Sequence, residues 1–112
     1  MTSRRVVVTG MGVVSPLGCI LEKFWERLIN GQSGIRMMTK FDTTRYTSKI
    51  GGEVIEFDID AFISKKEQRH MDPFSHYGFA AAKLAVTDSG LQFDHEDRDR
   101  VGVVVGSGID WA

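Results

Sequence analysis

Two valine-rich runs, "VVVTGMGVV" at residues 6–14 and "VGVVV" at residues 101–105, restrict the possible folds more than anything else in this chain. Uninterrupted β-branched runs without polar alternation belong to strands covered on both faces, which is the condition of strands in parallel sheets. Parallel strands need a long crossover, usually helical, between them. The residues between the two runs supply helices, so strand, helix, excursion, helix, strand is the reading, and the fold class is α/β.

Pro16 stops the first run. Over residues 20–30 the apolar positions Ile20, Leu21, Phe24, Trp25, Leu28 and Ile29 recur at helical spacing, with Glu22, Lys23, Glu26 and Arg27 on the other side and Gly31 as the stop. Residues 31–58 have turn residues, no sustained period, and one short strand expected at residues 53–55. Ser64 and Glu67 make a capping box, so a short helix begins at Lys65. Asp72 as N-cap and Pro73 at the first helical position start a longer helix that ends at Gly90. No internal repeat or low-complexity segment divides residues 1–112 into domains. Two valine strands cannot build the sheet that would bury them, so the chain reads as the front of a larger domain.

Hydrophobic content of 42% and charged content of 26% are those of a globular protein and disfavour disorder or a membrane span. A net charge of -1 gives no global attraction for nucleic acid, so electrostatic recognition must come from a local patch. Ser3-Arg4-Arg5 before apolar residues looks like a twin-arginine export signal, but Gly-rich, strand-like chain follows it, and the cytoplasm is the expected location.

The glycines of residues 6–18 raise the question of a dinucleotide site. Such a site needs Gly-x-Gly-x-x-Gly/Ala between strand and helix, so that backbone N–H groups meet the pyrophosphate. Here Ser15 holds the third position and Pro16 removes a donor, which leaves a nucleotide-binding oxidoreductase a weak reading.

"RRVVVTGMGVVSPLG", "FWERLINGQSGI", "FDTTRYTSKIGGEV", "ISKKEQRHMDPFSHYGFAAAKLAVTDSGL" and "VGVVVGSGI", in that order, resemble the N-terminal part of the β-ketoacyl-acyl-carrier-protein synthases. The elongating type II enzyme of fatty-acid synthesis is the most similar, and "KKEQRHMDPFSHYG" is the most specific block. The resemblance implies a partial thiolase-like fold, the N-terminal part of a layered α/β/α/β/α ketosynthase. It also implies an acyltransferase that dimerises and condenses an acyl thioester with malonyl-acyl carrier protein, using a nucleophilic cysteine and two histidines. Neither metal nor cofactor is implied. Gly10 and Gly12 then serve close packing, not phosphate binding.

The family's catalytic blocks have no counterpart in residues 1–112. Cys19 matches a position without chemistry and reads as a small, partly buried apolar residue. His70, His76 and His95 match no catalytic position, have poor spacing for a metal, and read as surface histidines. Lys66, Arg69 and His70 fall at i, i+3 and i+4 and share one helix face. By composition this is a solvated charged face; by the resemblance it is a basic patch that receives the acidic acyl carrier protein, a role carried onto Lys66 and Arg69. His70 stands where the family has lysine or arginine. Ile109 matches a residue lining the acyl pocket, and Asp110-Trp111 stand where the family continues Gly-Gly. Alternatives left open by the residues are a polyketide ketosynthase and a short, non-catalytic α/β module that binds the carrier.

Overall fold

The computed structural model describes residues 2–108 of the chain, and Ile109, Asp110 and Trp111 lie outside them. Helix α1, Leu21–Ile29, carries Glu22 in its first turn and Arg27 in its last, each charge on the side that the helix dipole favours. Gly31 follows it with φ +67°, the left-handed conformation that glycine adopts at a helix C-terminus. A short antiparallel pair comes next: β1, Ile35–Met37, against β2, Ile50–Gly52, with Arg36 opposite Gly51. Helix α2 is Lys65–Gln68 and helix α3 is Pro73–Ser89, closed by Gly90 at φ +68°. Single turns of 3-10 helix occupy Ile59–Ala61, Phe93–His95 and Arg98–Arg100.

The two valine runs do not form strands among the described residues, contrary to expectation, and the ladder lies instead in the aperiodic stretch. A strand is a paired state, and neither run has another strand beside it. Val6 is 94% exposed and Val104 is 99% exposed. The strand expected at residues 53–55 is likewise shifted, to Ile50–Gly52, where the backbone of Ile35–Met37 supplies a partner.

What holds the first run in place is glycine. A Cβ on Gly12 would strike the Ala81 carbonyl and come within 2.7 Å of the Ala85 nitrogen, and a Cβ on Gly10 would strike the Ala85 carbonyl. Residues 10–12 therefore cross α3 at backbone distance, and the Met11 N–H donates to Asp88 Oδ2 at 2.9 Å. The turn after the run, Ser15 to Gly18, is closed by reciprocal backbone bonds of 3.2 and 3.0 Å. Two arginines clamp it: Arg27 donates to the Leu17 carbonyl at 2.6 Å and Arg36 to the Pro16 carbonyl at 3.1 Å. Arg27 also pairs with Glu56 at 3.0 Å, which holds the Glu56 carboxyl below the usual range.

The hairpin is fastened by Glu53, a charged residue only 5% exposed. Its carboxylate accepts from the Thr39 and Lys40 backbone N–H groups at 2.9 Å each and from Thr39 Oγ1 at 2.8 Å. Those bonds, the Lys40 N–H first, hold its carboxyl below the usual range. Phe57 stacks on Phe62 at 5.9 Å and meets Tyr77 of α3 edge-on at 5.3 Å, which seats this region against the long helix. Ile63 and Ala80 are the buried apolar residues among those described. The radius of gyration is 17.4 Å, against about 13 Å for a close-packed chain of about this length. The chain is an open α/β piece, with apolar faces laid bare.

Candidate functional site

Helix α2 is only four residues long, and its geometry comes from polar side chains at both ends. At its start Ser64 Oγ accepts from the Glu67 N–H at 3.4 Å and donates to Glu67 Oε2 at 2.8 Å. The cap expected from the sequence is thus present, although the glutamate reaches the serine hydroxyl and not its backbone N–H. Gln68 Nε2 donates to the Ile63 carbonyl and to Asp60 Oδ1, both at 2.8 Å, which fixes α2 to the preceding turn. Turn geometry continues past the helix, since His70 N–H donates to the Glu67 carbonyl and Met71 N–H to the Gln68 carbonyl.

Lys66, Arg69 and His70 are all exposed on this scaffold. Among the described residues the ion pairs are Arg27–Glu56 and Arg98–Asp94, so neither Lys66 nor Arg69 is neutralised by a neighbour. Beside them, between α2 and α3, lies a cavity of about 270 Å³ lined by Ile63, Glu67, His70, Met71 and Phe79. Lys83 Nζ lies 5.5 Å from the centre of the Phe79 ring. Sequence reasoning found the cations and missed this apolar groove. Its residues come from a turn, the exit of α2 and the side of α3, so no single period announces them.

His76 differs from the expected surface histidine: it is half-buried, and its Nε2 lies 3.3 Å from the Gln68 carbonyl, joining α3 to α2. His70 and His95 are exposed. Among the described residues no three His, Cys, Asp or Glu side chains gather in a way that would hold a metal ion.

Cys19 lines a second cavity, of about 220 Å³, with Met11, Leu84 and Asp88 among its other walls. Burial, more than any other influence, pushes its thiol up, aided by the Glu56 charge and opposed by a hydrogen bond from the Ser15 backbone. A thiol held in its neutral form is the opposite of an activated nucleophile. The face of Gly10 and Gly12 is filled by α3, so a phosphate has no room to approach their backbone. Of the residues singled out in the sequence, Lys66 lies on α2 and Arg69 is its C-cap, with His70 in the turn that follows. Ile109 lies outside the described residues.

Residues 3–111 match the β-ketoacyl synthase N-terminal domain, and the chain belongs to that family. It is 49% identical to 3-oxoacyl-[acyl-carrier-protein] synthase 2 of Vibrio cholerae over 97% of its own length and 26% of that protein. The protein of the same name from Staphylococcus aureus is 43% identical over 96% of this chain and 26% of its own. Among solved structures, the ishigamide ketosynthase/chain length factor aligns with a TM-score of 0.76 at 38% identity, covering 83% of this chain and 23% of that one. The chain spans about a quarter of the length of the curated relatives that it matches. No described helix is long and apolar enough to cross a membrane.

Proposed function

We propose that these residues are the N-terminal part of a cytoplasmic, homodimeric 3-oxoacyl-acyl-carrier-protein synthase of fatty-acid synthesis. In that reaction an acyl group passes from its carrier thiol to an enzyme cysteine thiolate. Malonyl-acyl carrier protein then loses CO₂, and the resulting carbanion attacks the acyl thioester and expels the thiolate, leaving a 3-oxoacyl product on the carrier. The nucleophile and its histidines belong to chain beyond residues 1–112, and no cofactor takes part. The family match over residues 3–111 carries this reading. Within it, Lys66 and Arg69 receive the acidic carrier protein, and Ile109 lines the acyl pocket.

Exposed cations that lack an internal partner contribute little to folding and are free to steer an acidic protein. The test is the double variant Lys66→Glu, Arg69→Glu in an enzyme of the relatives' full length. Affinity for acyl carrier protein is expected to fall about tenfold or more, because two reversals replace attraction with repulsion at one patch. The loss should shrink as salt rises. Equal losses of turnover with carrier-bound and small thioesters would place the defect in folding, and unchanged carrier affinity would remove α2 from docking.

A further inference from the structure

We propose that the carbonyl oxygens of Thr43, Thr44 and Tyr46 form a binding site for a primary ammonium group, which the chain fills with its own Lys49 and which free n-propylammonium fills when that side chain is removed. The site lies in the loop between β1 and β2 and is independent of carrier docking.

Lys49 Nζ donates to the Thr43 carbonyl at 2.6 Å, to that of Thr44 at 3.1 Å and to that of Tyr46 at 2.5 Å. A lysine ammonium has three N–H donors and no acceptor, so three carbonyls use its whole capacity. Carbonyl dipoles converging on one point repel one another unless a positive charge sits between them, as it does where carbonyls replace a cation's hydration shell. The cation is therefore a condition of the loop's shape.

The oxygens are aimed by bonds that do not involve the lysine side chain. Asp42 Oδ1 accepts from the Thr44 N–H at 3.0 Å and also from Thr44 Oγ1, and the Tyr46 N–H donates to the Thr43 carbonyl at 2.9 Å. Phe41 and Tyr46 meet edge-on at 5.5 Å, which draws the ends of the segment together. Lys49 is rooted separately, since its own carbonyl accepts from the Met38 N–H at 2.9 Å beside the ladder. Residues 42–46 thus make the cage, and the residue before β2 brings the amine to it.

Charge and donor set identify the ligand class. Among the described residues the ion pairs are Arg27–Glu56 and Arg98–Asp94, so no described carboxylate neutralises Lys49 and the ligating atoms are neutral carbonyls. Calcium and magnesium take about six or more oxygens, carboxylates usually among them, which this cage does not supply. A single positive charge with three N–H bonds is what it matches. Lys49→Ala removes three methylenes and the ammonium, which together are the skeleton of n-propylammonium.

The experiment uses an enzyme of the relatives' full length and reads hydrogen exchange by mass spectrometry over residues 43–46, where the Tyr46 N–H is bonded inside the cage. Lys49→Ala is expected to speed that exchange about tenfold, the effect of losing one charged hydrogen-bonding group. Added n-propylammonium should return it to the parent rate along a saturating curve. Tetramethylammonium, with the same charge and no N–H, should not. Lys49→Met keeps the alkyl volume without the charge and should exchange as fast as Lys49→Ala. Exchange left unchanged by Lys49→Ala, no return with n-propylammonium, or equal return with both cations would each overturn the site. Parent-like exchange in Lys49→Met would assign the loop's order to packing and overturn it too. Should Lys49→Ala not fold, refolding it with either cation gives the answer independently: folded enzyme recovered with n-propylammonium alone supports the cage, and any other result overturns it.

Discussion

The valine runs and the segment from β1 to α2 invert each other. Residues 6–14 and 101–105 have the stronger secondary-structure signal, yet neither run pairs as a strand, and Val6 to Val8 and Val103 to Val105 stand exposed. Residues 35–63 have no period, yet they hold the sheet and the buried carboxylate. The difference lies in where each finds its partners. A β-branched run is stabilised only by neighbouring strands and covering faces, all of which are long-range. The aperiodic segment finds its bonds within itself: Glu53 reaches back to Thr39 and Lys40, and Lys49 Nζ donates to the Thr43 carbonyl at 2.6 Å. Strong propensity marks what a segment demands, and polar side chains at short separation mark what it satisfies alone.

The sharpest way to break this comparison is at the crossing that holds the first run. If close approach to α3 is its main anchor, Gly12→Val should be the most damaging change, because its branched side chain would overlap the backbone at Ala81 and Ala85. Overpacking against backbone that cannot yield is expected to cost about 3 kcal/mol or more. Thermal unfolding and near-UV circular dichroism would show the loss. Stability close to that of the parent protein would mean that residues 10–12 move freely away from the helix.

Glu53 tests the other region and should give a smaller, more local effect. Glu53→Gln keeps the shape but removes the charge from an acceptor bonded to two backbone N–H groups. Hydrogen exchange should quicken most at Thr39 and Lys40, with α3 little changed; a uniform change would deny the hairpin its local origin. The sign of the pH effect follows from the depressed carboxyl. Its contribution is complete above the ordinary glutamate range and disappears as pH falls through the lower folded value. Acid should therefore loosen the hairpin in the parent protein, and the glutamine variant should lack that step.

The helices were legible because their signals are local. Ser64 with Glu67, Pro73 and Gly90 mark α2 and α3 where the chain folds them, and the expected helix over residues 20–30 differs from Leu21–Ile29 by one residue at each end. The packing role of Gly10 and Gly12 came with the family resemblance, once the phosphate fingerprint had failed, and the structure supplies the surface they pack on. The hairpin was not legible: Ile35–Met37 and Ile50–Gly52 are three residues each, too short for a period, and β2 has two glycines. At the candidate site, the i, i+3, i+4 spacing revealed Lys66, Arg69 and His70. The groove beside them depends on how α3 lies against α2, which no local spacing encodes.

The smallest expected effect concerns Asp88, and it separates the two ways in which the first run is held. Its Oδ2 accepts from the Met11 N–H, between the glycines of the crossing, in an exposed position. Water competes for both groups there, so the bond adds only a modest net term to the steric fit. Asp88→Ala should cost about 1 kcal/mol and speed exchange of the Met11 amide, whereas Asp88→Asn keeps an acceptor in the same place and should cost less. The two variants need only thermal melts and the exchange rate of one amide. If Asp88→Ala matched Gly12→Val in severity, the run would be held by its hydrogen bond more than by backbone packing. The valine run would then resemble the hairpin, as a segment fastened by one carboxylate.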